Sequence, residues 1–544
     1  MKPFQHRLIR ASAGSGKTFQ LSNRFLGVLA VGDAPAEILA TTFTRKAAGE
    51  ILDRIMIRLA QAARDPKKLA ELNNFIEASP VTLESCIATL RELTRQLHRL
   101  RVQTLDSFFI QVAQCFSFEM GFPPGWSIAD AVDDKELRVN AIEELLRENE
   151  AALILQIVHL MSKGETTRGV SQLMLDATSQ LYGLYQETPP QVWTALQTRK
   201  PPQDQEIEAA KRNLLEASLD KRMTKARGED LARFDGGDFS GFLEKGLAKK
   251  VIEGELSYYR AEIPADVARA YQTLIQAAAC EPYNLLVRQT EGAFELLQRF
   301  DAIYRRLKFQ SQAYRFDDVT RFLSNYADAD TPTRVAYRLD GHINHLLLDE
   351  FQDTSPAQWS VLRPVAKRVT SQPLGSFFCV GDVKQAIYGW RGGVAEIFEE
   401  VVSELGELDE AELSVSFRSS PVVIDFVNQV SRNLHQHRSL DRFADGVRRW
   451  QTLFADHSTA KSTMPGYVSV ETAPYDEEGD PADETLYAAA AERVCRSLKD
   501  APNHDVGILV RTNAAVRKLI FELRQRGVTA SEEGGGALTD SAAV

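Results

Sequence analysis

Eight residues near the start of the chain, ASAGSGKT at positions 11–18, have the types and spacing to hold a polyphosphate. The phosphate-loop pattern is G-x-x-x-x-G-K-[ST], and Ala11 stands where its first glycine would be. Ser12, Ala13 and Ser15 fill the variable positions. Gly14 and Gly16 let the backbone turn its N–H groups toward phosphate oxygens. A helix starting near Lys17 adds the positive end of its dipole. Lys17 can reach β- and γ-phosphates, and the Thr18 hydroxyl can ligand Mg²⁺. Residues 11–18 are thus the candidate nucleotide site.

A second block, LLLDEFQDT at 346–354, carries Asp349 and Glu350 off the end of an apolar run. Asp349 suits a water-mediated Mg²⁺ ligand and Glu350 a general base that orients an attacking water. Alone, the pair also fits an ordinary acidic loop. A third block is VGDVKQAIYGWRGG at 380–393. Gln385 can sense a γ-phosphate, Tyr388 and Trp390 can stack on bases, and Arg391 can meet a nucleic-acid backbone. The same aromatics also suit a core, against which Gly389 and Gly392 speak. Arg418, in LSVSFRSSPVVIDFVN at 413–428, can reach a γ-phosphate from another domain, or serve as a surface or capping arginine. TTFTRKAAGEI at 41–51 sets Thr42, Phe43, Thr44 and Arg45 at a strand end, as VQTLDSFF at 102–109 does Thr104, Asp106 and Ser107.

These residues need a scaffold that presents them together. HRLIRA, EILATTF, HINHLLLDE and GSFFCVGD read as strands. Leu21, Phe25, Val28 and Leu29 recur at helical spacing until Gly32, and Ala48, Ile51, Ile55 and Leu59 form a second helical face. Alternating strand and helix implies a parallel sheet. Leu346, Leu347 and Leu348 suit a strand buried on both sides. Residues ~130–310 show long helical patterns and read as an insertion. A further unit opens near Glu412 with ELSVSF as a strand, Ser420 and Pro421 as helix cap and first residue, and YVSVETA and DVGILVR as strands.

The 544 residues allow several domains, and 44% apolar with 26% charged residues is ordinary for a globular chain. A wholly disordered, collagenous or disulfide-framed chain is excluded. A net charge of −11 argues against a polycation that coats nucleic acid, though not against a locally basic groove. Five scattered cysteines without C-x-x-C spacing read as reduced thiols. No apolar run reaches the ~20 residues that span a bilayer. A cytoplasmic protein that meets no membrane is expected.

The ordered blocks together resemble the UvrD/Rep-type superfamily 1 DNA helicases. ASAGSGKT, TTFTRKAA, RFDDV, DEFQDT, GDVKQAIYGWRGG, SFRSS and GILVRTNAAVRKL match that family's motifs in its order. ASAGSGKT, TLDSFF and GDVKQAIYGWRGG look most like the AddA/RecB branch of recombinational helicase–nuclease subunits. The resemblance implies an α/β fold, a P-loop NTPase with RecA-like parallel-sheet domains. Residues 1–125 and 311–410 would form the first such domain, 126–310 a helical insertion, and 411–544 an incomplete second domain. It implies ATP and Mg²⁺ as cofactors, with movement 3′→5′ on DNA in double-strand-break repair. Single-stranded DNA and duplex DNA ends would be bound, together with a nuclease or helicase partner subunit. Lys17, Glu350, Gln385 and Arg418 would be catalytic, and Thr18 and Asp349 would hold the metal. Phe417 takes the place of an aromatic that stacks on adenine. Phe43, Thr44, Tyr388, Trp390 and Arg391 fall at DNA-facing positions, and Arg45, Thr104 and Ser107 are grouped with them.

The family's adenine-reading glutamine lies well upstream of the phosphate loop, and Gln5 is too close to match it. The later family motifs, the second insertion and a nuclease signature are absent from the 544 residues. The chain is therefore expected to be the N-terminal part of a longer protein or the product of a gene cut short. The alternative to a helicase is then a truncated module that binds ATP and single-stranded DNA without helicase activity. A nuclease subunit lacks its carboxylate–lysine cluster here. A small-molecule kinase fits the aromatic–arginine block poorly.

Overall fold

The computed structural model describes residues 4–76, 80–148, 170–255, 257–259, 261–327, 330–339, 342–386, 397–472 and 483–532. Contacts divide the chain into two units, Met1–Ala11 with Lys17–Glu412, and Ser12–Gly16 with Leu413–Val544.

The first unit is built on a six-stranded sheet. Its strands are β1 (Arg7–Ala11), β2 (Ile38–Thr42), β3 (Arg101–Thr104), β4 (His345–Leu348), β5 (Ser376–Gly381) and β6 (Asp409–Leu413), in the spatial order β6-β1-β5-β4-β2-β3. From β1 to β3 every neighbouring pair is parallel. The predicted α/β class with a parallel sheet is what the chain forms. Every residue of β2, β4 and β5 is buried, as strands covered on both faces require. Leu346, Leu348, Phe377 and Cys379 pack with Phe108, Phe109, Trp359 and Leu362 from flanking helices into one core.

The helices follow the predicted faces. Helix Lys17–Ala30 buries Leu21, Phe25, Val28 and Leu29, and Gly32 beyond it has φ +101°. Helix Arg45–Ala62 buries Ala48, Ile51, Ile55 and Leu59. Among the described residues, the stretch from 131 to 311 is helical, with one short hairpin at Ser257–Tyr258 and Ala261–Glu262. Its spine is the 47-residue helix Ala265–Ser311, about 70 Å long at ~1.5 Å per residue. The helix serves two cores: Val267, Tyr271 and Leu274 belong to one, and Leu296, Phe300 and Tyr304 to the other.

Three expectations about the region beyond residue 405 are corrected. ELSVSF is not one strand. Asp409–Leu413 joins the edge of the large sheet beside β1, where Arg7 pairs with Asp409 at 2.6 Å and Arg10 with Glu410 at 2.9 Å. Val415–Ser416 (β7) is separate and runs parallel to Ser458–Thr459 (β8) within the second unit. Tyr467–Thr472 of YVSVETA, whose Ala473 lies outside the described residues, and DVGILVR form no strand and pair with no neighbour among the described residues. Leu509 is 101% exposed and Val470 76%. Ser420 does precede helix Pro421–Arg432, but its buried hydroxyl caps nothing. Elsewhere in this unit, helices Asp483–Asp500 and Asn513–Gln525 share Ala491, Val494, Leu519 and Leu523. All five cysteines are free thiols. Among the described residues no helix is long and apolar enough to cross a membrane.

Candidate active site

Parallel strands bring their C-terminal ends to one edge of a sheet, and that edge is where ligands bind in such folds. Here it gathers the residues that follow β1, β2, β3, β4 and β5. Helix Lys17–Ala30 begins at that edge, Asp349 and Glu350 follow β4, and Gln385 closes the turn Val383–Gln385 after β5. The Asp349 N–H donates to the Thr41 carbonyl of β2 at 2.8 Å, which ties the strand ends together.

Lys17, 9% exposed, is held by two of these residues. Its Nζ donates to Glu350 Oε2 and, at 3.3 Å, to Gln385 Oε1. The Thr18 hydroxyl donates to Asp349 Oδ2 at 3.4 Å. Glu350 has φ +50°, a left-handed conformation that costs a non-glycine residue about 1–2 kcal/mol. That turn aims its carboxylate back at Lys17 while Phe351, fully buried, anchors the chain against Trp359 and Phe398.

Negative charge exceeds positive charge in this cluster. Burial, and then the Glu350 charge, pushes the Asp349 carboxyl up to about 7. The same two causes push Asp353 up to about 6, and its buried Oδ1 has no hydrogen-bond partner. Three carboxylates around one ammonium leave a deficit that a hard, oxygen-seeking cation satisfies. Among the described residues no three His, Cys, Asp or Glu side chains are arranged to hold a metal by themselves. Thr18 and Asp349 fit Mg²⁺, which keeps several waters and takes ligands from phosphate.

The loop Ser12–Gly16 groups with the second unit. Gly14 and Gly16 have φ +74° and +94°. A Cβ on Gly14 would lie 2.8 Å from Ser416 Oγ and 2.9 Å from Arg418 Cβ, so the position needs glycine for space as well as for conformation. Phe417 N–H donates to the Gly14 carbonyl at 2.9 Å, and Ser12 N–H to the Leu413 carbonyl at 2.8 Å. Ser12 Oγ meets His457 Nε2 at 2.9 Å, and the Ser15 hydroxyl donates to the Ser12 carbonyl at 2.7 Å. Ala11 ends β1 and is buried, while the Phe417 ring is 59% exposed.

The other residues singled out in the sequence take varied places. Thr44 caps helix Arg45–Ala62 by accepting from Ala47 N–H, with Phe43 half-buried and Arg45 exposed. Thr104 is buried, caps helix Leu105–Cys115, and its hydroxyl lies 2.7 Å from that of Ser107. Tyr388, Trp390 and Arg391 lie outside the described residues. Gln5 precedes β1, at the opposite end of the strand from the phosphate loop, and its carbonyl accepts from Arg24 at 3.0 Å. Sequence reasoning missed Gln352, Asp353 and His457. The first two sit inside the DEFQDT block, which was their signal; His457 has none.

The UvrD/REP helicase N-terminal domain matches residues 2–405. The chain is similar to an ATP-dependent helicase/nuclease subunit of Clostridium beijerinckii, 24% identical across 78% of this chain and 38% of that protein. It is 26% identical to the protein of the same description from Streptococcus uberis, across 79% of this chain and 37% of that one. With that of Geobacillus thermodenitrificans it shares 23% identity across 97% of this chain and 48% of the other. The chain thus spans less than half the length of these relatives, which agree with the AddA/RecB branch read from its motifs. With a phosphate-loop lysine, two strand-end carboxylates and a glutamine gathered on one sheet edge, the chain belongs to the UvrD/REP helicase N-terminal domain family.

Proposed function

We propose that these residues form the ATP-hydrolysing part of a DNA helicase or translocase that acts in recombinational double-strand-break repair. The observation that carries the reading is the convergence of Lys17, Thr18, Asp349, Glu350 and Gln385. Lys17 leaves Glu350 for the β- and γ-phosphate oxygens of ATP. Glu350, released, orients a water and accepts its proton as the oxygen attacks the γ-phosphorus and ADP departs. Thr18 and Asp349 hold Mg²⁺, which when bound neutralises charge on the phosphates. Gln385 registers the γ-phosphate. On the motif matches, Phe417 stacks on adenine and Arg418 reaches the γ-phosphate.

Phe43, Thr44, Arg45, Thr104, Ser107, Tyr388, Trp390 and Arg391 are proposed to face single-stranded DNA, with movement 3′→5′. Residues 1–125 with 311–410 are proposed as one RecA-like domain, 126–310 as its insertion and 411–544 as part of a second. The relatives' description as one subunit of a helicase/nuclease supports a partner chain. A cytoplasmic place goes with that reading.

One observation favours a second reading, a module that binds ATP and DNA but turns over slowly. Among the described residues of the second unit, the only paired strands are β7 and β8. ATP hydrolysis with and without single-stranded DNA, beside Lys17→Ala, separates the two. DNA-stimulated turnover that falls at least ~100-fold in the variant supports the motor. Equal turnover in both sinks the site assignment. A folded wild-type chain that binds but does not hydrolyse supports the module.

A further inference from the structure

Gln352 lies two residues beyond Glu350, in the turn Phe351–Asp353, and is 2% exposed. Its two ends point to different elements. Nε2 donates to Glu350 Oε2 at 2.8 Å, and Oε1 accepts from the Asp382 N–H at 2.9 Å. Asp382 opens the segment after β5 that ends at Gln385, whose side chain meets Lys17. The amide reaches this segment because Gly381 has no side chain: a Cβ there would lie 2.5 Å from Gln352 Oε1. A buried amide with donor and acceptor both engaged has one orientation, since a flip would break both bonds. Glu350 is only half-buried and sits on a strained backbone, so its carboxylate needs an external hold.

We propose that Gln352 is a positioning residue that fixes the Glu350 carboxylate relative to the 382–385 segment, so that hydrolysis depends on where that segment stands. The inference rests on Glu350 being the water-activating carboxylate. When Lys17 transfers to phosphate, Gln352 is the remaining described donor on Glu350 Oε2. A shift of the 382–385 segment then moves the general base through one side chain.

The test uses the full chain, with single-turnover ATP hydrolysis, fluorescent MANT-ATP binding and amide exchange at Asp382. Gln352→Leu removes both bonds. Expected are a kcat about 10–100-fold lower with KM for ATP changed less than ~3-fold, and faster exchange at Asp382. Gln352→Glu keeps the acceptor and loses the donor: kcat falls as far, while Asp382 stays protected. A folded Leu variant with unchanged kcat overturns the proposal, as does one in which KM rises in step with the loss of kcat. If the Leu variant does not fold, the Glu variant decides on the same readings. If wild type, Lys17→Ala and Glu350→Gln are equally inactive, the ATPase reading fails by itself. Exchange at Asp382 then decides the link: unchanged in Gln352→Leu, it overturns it.

Discussion

At the residue scale, the site concentrates features that are costly without a ligand. Asp349 is buried as a potential anion, Asp353 has an orphaned oxygen, and Glu350 holds a left-handed backbone. The folded-state carboxyl of Asp349 lies above the ~3.9 of an unfolded chain. Its contribution therefore favours the fold at low pH and is lost as pH rises from ~4 through about 7. Asp349→Asn is expected to raise the Tm of ligand-free protein at pH 8 by a few degrees, with the gain shrinking toward pH 4. A Tm difference independent of pH would refute the charge argument. Gly14 makes the opposite case. Gly14→Ala forces a Cβ onto Ser416 and Arg418 at φ +74° and costs about 1–2 kcal/mol. MANT-ATP affinity is expected to drop about 10-fold or more, since 1.4 kcal/mol is a factor of ten. Unchanged affinity would show that the loop adapts.

At the element scale, the long helix Ala265–Ser311 is tied to the following helix Phe316–Tyr326 by a buried ion pair. Lys308 Nζ lies 2.7 Å from Asp318 Oδ1, with side chains 3% and 8% exposed. Burial pushes the Lys308 ammonium below its usual range, partly offset by Asp318. Asp318 also accepts from the Arg315 N–H at 2.9 Å, and Lys308 sits 4.2 Å from the Tyr304 ring. A buried pair contributes little against an apolar replacement, but breaking it strands a charge. Lys308→Met is expected to cost about 3–5 kcal/mol in denaturant unfolding. Adding Asp318→Leu should recover most of that, less about 1 kcal/mol for the lost Arg315 bond. Additive losses would remove the coupling. RFDDV was visible as a motif, yet Lys308 was not: it is one lysine in a 47-residue helical pattern, and only the packing of two helices buries it.

At the scale of the whole molecule, the two units differ in how well they satisfy their own backbone. The first joins its six strands in one sheet under helices, and its helical region carries two further cores. In the second, Tyr467, Val470 and Leu509 are exposed on segments that lack ladder partners among the described residues. Exposed apolar stretches of high β-propensity bind dyes and one another. The chain is expected to bind the hydrophobic dye ANS and to scatter light increasingly with concentration. Val470→Lys with Leu509→Lys should lower both without altering near-ultraviolet dichroism. A monodisperse chain that ignores the dye would contradict this.

The sequence by itself determined five of the sheet's six strands, the helix faces and the phosphate-loop pattern, because each is written in local period or in one short motif. β4 was legible in Leu346–Leu348, and Lys17, Thr18, Asp349, Glu350 and Gln385 in residue type and spacing. Strand pairing is a property of partners, not of period. Only the tertiary structure therefore sent Asp409–Leu413 to the edge beside β1, where Arg7 and Arg10 supply opposite charge, and left 467–472 and DVGILVR without strand partners among the described residues. Hydrogen bonds between distant residues were equally beyond local reading. That Lys17 rests on Glu350, and that Gln352 joins Glu350 to Asp382, was decided by parallel strands delivering their ends to one edge.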